Sequence, residues 1–252
     1  MKIFVAAVSS EQQYVRALDS IFNDLQPHEG DDLGYEAGSP GWIARIELCD
    51  AFLEMKKFDA IFQVDMDMRF PTDTLERLRS HDLDMVTAHY FRRKTDPMMS
   101  VIQVMRDNRW MPLIDIPEGG LHEVACTGMG AVLIKREVVE AVAKIPGIIH
   151  PFMPGPITEL HPTKIYGQDV RFFFYAQKLG YKLWLDADVE VMHGCTFWMS
   201  KYLYDILRPH QDAEWKSELE KAEWEIEQIT RKEPLNWSDY SMKSRSRTRP
   251  TP

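Results

Sequence analysis

The segment AIFQVDMD, residues 60–67, decides how this chain is read. Ala60 to Val64 is a short, largely apolar run, the pattern of a strand buried on both faces. It ends abruptly in Asp65 and Asp67, with Met66 between them. Residues i and i+2 of an extended chain point the same way, so both carboxylates can face one place. In an open α/β sheet, ligands collect beyond the carboxyl ends of the strands. Two carboxylates at one spot repel each other unless a cation lies between them, and hard cations take oxygen ligands. The pattern suits Mg²⁺ or Mn²⁺ bridging to a diphosphate. Two aspartates that merely end a strand and start a turn would look the same.

Working outward, IFVAAV (3–8) predicts a first strand, SSEQQ a loop, and the segment through Asp24 an amphipathic helix. Pro27 to Pro40 is rich in Gly, Pro and Asp and reads as loop. Residues 41–57 predict a helix with Ile43, Ile46, Phe52 and Met55 near one face. Beyond the aspartates come a helix over 71–81, a strand over 85–90, and short strands and turns between Ser100 and Cys126. AVLIK (131–135) reads as a strand and the segment from Arg136 as a helix. Residues 146–166 carry five of the chain's 15 prolines and no periodicity, which predicts a long loop of the kind that binds or covers ligands. GQDVRFFFYAQKLG reads as a helix closed by Gly180, followed by the strand YKLWLDA. Strand and helix alternate in the first half, and the second half is richer in β structure. The expected fold is α/β: a mixed, mostly parallel sheet flanked by helices.

Composition narrows the function classes. The chain has 252 residues, 44% apolar and 27% charged, enough for a full core without cross-links. Thirty basic against 39 acidic residues give −9, which argues against a surface devoted to nucleic acid. Cys49, Cys126 and Cys195 are too few and scattered for a disulfide framework or CxxC metal site, and fit a reducing compartment. The run Ile3–Val8 is shorter than a signal-peptide core, and no stretch reaches the roughly 18 apolar residues of a membrane span. A cytoplasmic location is expected. Trp215, Leu219, Ala222, Ile226 and Ile229 form an apolar stripe on a charged helix, read as docking onto the body. The end, SMKSRSRTRPTP, is basic with little apolar mass and is expected to be disordered. The expected divisions are a main domain over 1–199, a helical extension over 200–235 and a tail over 236–252.

Three further segments bear chemistry. In GQD (167–169), Asp169 stands at a helix start, where the dipole favours its anion; an ordinary cap would look alike. His193 ends the alternating segment VEVMH and can project from a strand end as a nitrogen ligand; a satisfied structural histidine would look the same. Thr127-Gly128-Met129-Gly130 joins two apolar runs and permits close backbone approach to a ligand, or a plain tight turn. Trp110, Trp184 and Trp198 have faces on which a sugar or base could stack, and would read alike as core or rim residues.

The order of these pieces resembles a glycosyltransferase of the GT-A fold. It is closest to the inverting family that includes many bacterial and phage-type nucleotide-sugar transferases. The resemblance covers roughly residues 1–196. IFQVDMDMRFP is similar to the family's strand–DxD–proline segment. This implies Asp67 as the direct metal ligand, Asp65 on the ribose or metal, and Met66 beside the nucleotide. SPGWIARIELCDAFLE resembles the Ala-Arg helix, with Arg45 near the nucleotide. VAAVSS resembles the first strand and loop, with Ser9 and Ser10 near base and ribose. CTGMGAVLIKREV resembles the segment shaping the sugar and acceptor pocket, which implicates Thr127 and Gly128; Trp184 is a further candidate for substrate contact. GQD stands where the family has an acidic pair whose second member is the catalytic base. Here the first member is Gln168, a departure that keeps the essential Asp169. VEVMH resembles the strand that delivers a late metal-ligating His193.

The resemblance implies a sugar moved from a nucleoside diphosphate sugar, a UDP-sugar foremost, to an acceptor hydroxyl with inversion; retention is the alternative if Asp169 is not the base. Asp169 acts as base, and Mn²⁺ or Mg²⁺ sits on Asp65, Asp67 and His193. A saccharide, lipid carrier, protein or modified DNA base could be the acceptor. A sugar-phosphate nucleotidyltransferase is the rival, weakened because SSEQQ lacks the Gly and basic residues such enzymes carry there. A non-catalytic nucleotide-sugar-binding protein is the third reading.

Overall fold

From β1 (Ile3–Ser9) the chain passes a π-helical turn (Ser20–Asp24) to β2 (Asp32–Ala37), α1 (Gly41–Glu54), β3 (Ala60–Asp65), β4 (Met68–Arg69) and α2 (Thr74–Ser80). The strands β5 (Met85–His89), β6 (Phe91–Thr95), β7 (Met98–Ser100), β8 (Gln103–Arg106), β9 (Arg109–Pro112), β10 (Leu121–Val124) and β11 (Ala131–Lys135) follow. Then come α3 (Arg136–Ala143), β12 (Gly155–Pro156), β13 (Ile165–Tyr166) and α4 (Gln168–Lys178). The last elements are β14 (Leu183–Glu190), β15 (Met192–Gly194), β16 (Trp198–Met199) and α5 (Lys201–Leu207). This computed structural model describes residues 1–9, 20–25, 27–37, 40–95, 97–106, 109–194, 198–208 and 220.

Seven strands form the central sheet in the order β10-β14-β5-β11-β3-β1-β2. β1 pairs in parallel with β2 and β3, and β5 in parallel with β14. β11 lies antiparallel between β3 and β5, and β10 lies antiparallel to β14. Five strands therefore point one way, and the expected mixed, mostly parallel sheet is what the chain forms. Alternate residues of β1 feed two cores. Phe4, Ala6 and Val8 pack with Leu48 and Phe52 of α1 and Val138 and Val139 of α3. Ile3, Val5 and Ala7 pack on the other face with Leu75 and Leu78 of α2. Each face is covered, which explains why β1 and β3 read as unbroken apolar runs.

The structure departs from the sequence reading in three places. Pro27–Pro40 is not all loop: Asp32–Ala37 is the edge strand β2. It pairs on one side only, so the polar DLGYEA needs no apolar alternation to be held there. In α1 the buried residues are Ala44, Arg45, Leu48, Cys49 and Phe52, while Ile43, Ile46 and Met55 are half-buried. The helix docks through Ala44, Leu48, Cys49 and Phe52, which share a core with Phe4, Ala6 and Val8 of β1. Within residues 146–166, β12 and β13 form a two-residue antiparallel ladder. Gly180 closes the α4 turn at φ +95°, as its position predicts.

At the C-terminal end, Ser200 caps α5 by accepting the Leu203 N–H at 3.2 Å. Tyr204 is buried, stacks on Phe91 at 4.9 Å between ring centroids, and donates its hydroxyl to the Ile114 carbonyl at 2.8 Å. The apolar stripe from Trp215 to Ile229 and the basic tail lie outside the described residues. Cys49 and Cys126 are buried free thiols. No helix among the described residues is long and apolar enough to cross a membrane.

Candidate metal centre

Asp65 closes β3 at the carboxyl edge of the sheet, and Asp67 follows in the turn before β4. β4 pairs antiparallel with β15, setting His193 opposite Met68, and the Gly194 N–H donates to the Asp67 carbonyl at 2.6 Å. This small clip brings a residue 126 positions away onto the turn that holds both aspartates. One ligand atom from each of Asp65, Asp67 and His193 lies within 4.8 Å of the others. The three candidate ligands thus form one group.

Each candidate ligand has a partner outside the cluster. Arg45 of α1, with only 4% of its side chain exposed, pairs with Asp65 Oδ1 and donates through Nη1 to Gln63 Oε1 at 3.0 Å. Arg93 Nη1 lies 2.9 Å from Asp67 Oδ2. The Phe91 carbonyl is 2.7 Å from His193 Nδ1; a carbonyl can only accept, so Nδ1 carries a proton and Nε2 faces the cluster. His193 Nε2 and Asp67 Oδ1 then lie 3.3 Å apart, an ion pair only while the imidazole is protonated, and neither buried atom makes a hydrogen bond. Buried polar atoms are ordinarily satisfied. A divalent cation between an imidazole nitrogen and two carboxylates satisfies both atoms. Burial opposes the charged imidazole of His193, but the adjoining Asp67 carboxylate outweighs it and raises the pKa above its ordinary value. A cation entering here displaces that proton.

Behind the cluster, Tyr90 is buried with its ring edge-on to His193, centroids 5.6 Å apart. Its hydroxyl accepts the Gly130 N–H at 2.9 Å. Burial, and then the Asp65 charge, push the Tyr90 phenol well above its ordinary range, so it stays protonated. Gly128 and Gly130 both pass so close to this hydroxyl that a Cβ at either would crowd it. The glycines of TGMG serve this contact.

Asp169 lies in the first turn of α4, but Gly167 holds the cap position and no side chain caps the helix. The Asp169 Oδ1 accepts the neighbouring Val170 N–H at 2.8 Å. Burial raises its pKa, against the lowering effects of that N–H and the charge of Arg45. Asp169 in turn acts electrostatically on Tyr90 and Cys126. It shares the neighbourhood of Arg45 and Tyr90 without belonging to the Asp65, Asp67 and His193 group. Gln168, beside it, buries Oε1 with no partner.

Other candidate residues are placed differently. The Thr127 side chain is interior, its hydroxyl 3.2 Å from that of Thr87. Met66 buries its side chain in the core and donates its N–H to the Val8 carbonyl at 2.8 Å. Both leave only backbone for a ligand. Ser9 ends β1 one residue beyond Val8, which is level with Asp65, so its backbone lies at the same sheet edge; Ser10 lies outside the described residues. Trp184 is the second residue of β14 and aligns with Val86 near the start of β5. It therefore sits toward the amino ends of these strands, and the structure does not bring it to the cluster. Trp110 packs edge-on against Phe174 of α4 at 5.9 Å. Sequence reasoning missed Tyr90, Gln63 and Arg93. Only the basic run Arg92-Arg93-Lys94, just past a strand end, offered a signal for one of them.

No family model matches the chain, and no curated protein does. Among solved structures, the chain is similar to A197 from STIV, at 21% identity and TM-score 0.50, over 77% of this chain and 86% of that one. It is also similar to GalNAc-T7 with UDP, GalNAc and Mn²⁺, at 10% identity and TM-score 0.47, over 76% of this chain and 43% of that one. The first likeness concerns the fold alone.

Proposed function

We propose that this protein is an inverting, metal-dependent glycosyltransferase that moves a sugar from a nucleoside diphosphate sugar, a UDP-sugar foremost, to an acceptor hydroxyl. The observation that carries the reading is the convergence of Asp65, Asp67 and His193 at the carboxyl edge of the sheet, with Asp67 Oδ1 and His193 Nε2 making no hydrogen bond. Mn²⁺ or Mg²⁺ bound there supplies positive charge where a leaving diphosphate becomes negative. Arg45 and the Phe91 carbonyl fix Asp65 and His193, so these side chains need no rearrangement on loading. Asp169 is the base: a carboxylate with a raised pKa, near the cluster but not in it, takes the acceptor proton more readily than an ordinary aspartate. Tyr90, locked as a phenol, holds the Gly130 backbone that borders Asp65.

The test is release of UDP from a panel of UDP-sugars with Mn²⁺, with and without EDTA. Release should stop with EDTA, return with Mn²⁺ or Mg²⁺, and be absent in Asp67→Ala while that variant unfolds at close to the native temperature. Release that is unaffected by EDTA and by Asp67→Ala overturns the reading.

A further inference from the structure

The cluster contains an opposing charge that a plain metal site does not need. Asp65 and Asp67 bring two carboxylates, but Arg45 and Arg93 each lay a guanidinium on one of them. Formally the four side chains cancel. The two arginines are not equivalent. Arg45 is enclosed, with a second contact to Gln63, and acts as a fixed strut. Arg93 stands on β6, two residues beyond the Phe91 carbonyl that anchors His193, and 48% of its side chain is exposed. Its contact to Asp67 is through Nη1, on the oxygen opposite the one facing His193.

Resting on the transfer reading above, we infer that Arg93 couples the metal to the leaving anion. With no anion present, its positive charge on the buried Asp67 carboxylate opposes a divalent cation at the neighbouring oxygen, because like charges a few ångströms apart repel. Once a diphosphate lies on the metal, the exposed guanidinium has a better partner: a planar fork fits phosphate oxygens bidentately. Its charge then favours the loaded state. Metal and diphosphate consequently bind with positive cooperativity, and neither binds well alone. The coupling is reciprocal by thermodynamic necessity. The ligand class is a metal-bound diphosphate, of nucleotide or inorganic origin.

Binding of Mn²⁺ alone, of pyrophosphate alone and of both together, followed by calorimetry on the full chain, tests this in native protein, Arg93→Gln and Arg93→Lys. In native protein, pyrophosphate should tighten Mn²⁺ binding by roughly tenfold or more, within the usual range of coupling between sites. In Arg93→Gln, Mn²⁺ alone should bind more tightly than in native protein, and the enhancement by pyrophosphate should fall several-fold. Arg93→Lys, which keeps the charge but not the fork, should lie between. If Arg93 only props Asp67, Arg93→Gln weakens Mn²⁺ alone; that result overturns the inference, as does an enhancement equal to the native one. Pyrophosphate carries no sugar and no nucleoside. A protein that shows the coupling but cleaves no UDP-sugar refutes the transfer reading and leaves Arg93 standing. One that cleaves UDP-sugars with unaltered coupling in Arg93→Gln does the reverse.

Discussion

Asp169→Asn separates a catalytic carboxylate from a structural one, because the two roles predict opposite patterns of activity and stability. In the structure Oδ1 accepts the Val170 N–H, and an amide oxygen can accept the same bond. Nothing is capped by Asp169, since Gly167 holds that position, so no cap is lost. The ionised group is disfavoured by burial, which raises its pKa above the ordinary carboxylate range. The sign follows: below the unfolded-state pKa the group is neutral in both states, and as pH rises through the raised pKa the folded protein loses stability relative to the unfolded chain. The neutral amide escapes that loss, so at neutral pH the variant should unfold at the native temperature or slightly above it. The reduced attraction of a neutral group to the helix amino terminus takes back no more than about 1 kcal/mol. Turnover should nevertheless fall by roughly 10² or more, the usual scale for losing a general base. The acid limb of the native pH–rate profile should sit above that of an ordinary aspartate. UDP release with Mn²⁺, thermal unfolding and Mn²⁺ binding on the same samples decide the matter. An Asp169→Asn protein that keeps more than about a tenth of the native rate refutes the assignment of the base, and inversion with it.

Two predictions concern residues around the site. Gly128→Ala places a methyl group on the Tyr90 hydroxyl, which the Gly130 N–H holds in place; overpacking should cost about 1–3 kcal/mol in thermal or urea unfolding. Unchanged stability in that variant would show that the TGMG glycines are not required by this contact. His89 is 2% exposed, lies 3.2 Å from the Ser100 hydroxyl, and is pushed down to about 4, first by burial and then by Lys201. Because its pKa is depressed, stability should be full above about pH 6.5 and decline toward pH 4, as the unfolded chain takes up a proton that the folded one resists. The span corresponds to about 3 kcal/mol. His89→Gln should flatten that slope in urea midpoints measured across the window, and an identical slope would refute the role of His89.

Much of the architecture was legible because strand and helix leave periodic marks. β1 and β3 are covered on both faces, so their apolar runs announced them. The edge strand β2 was invisible for the complementary reason: it pairs on one side, and its residues are half-exposed and polar. The burial of α1 through Ala44, Leu48, Cys49 and Phe52 instead of Ile43 and Ile46 reflects how the helix is rotated against the sheet, a property of the packed pair and not of the helix.

The sequence by itself determined that two aspartates end a buried strand, that a carboxylate heads a helix and that a histidine follows an alternating strand. These are local facts set by period, spacing and residue type. Only the tertiary structure decided which of them meet. The β4–β15 ladder closes 126 residues of chain to place His193 on Asp67, while the strand register keeps Trp184 near the opposite end of the sheet. Arg93 and Tyr90 entered the site in the same way, because a charge or hydroxyl acquires its role from the atoms a few ångströms away. Distances of that kind follow from how strands are ordered across a sheet, and no pattern within a single strand records that order.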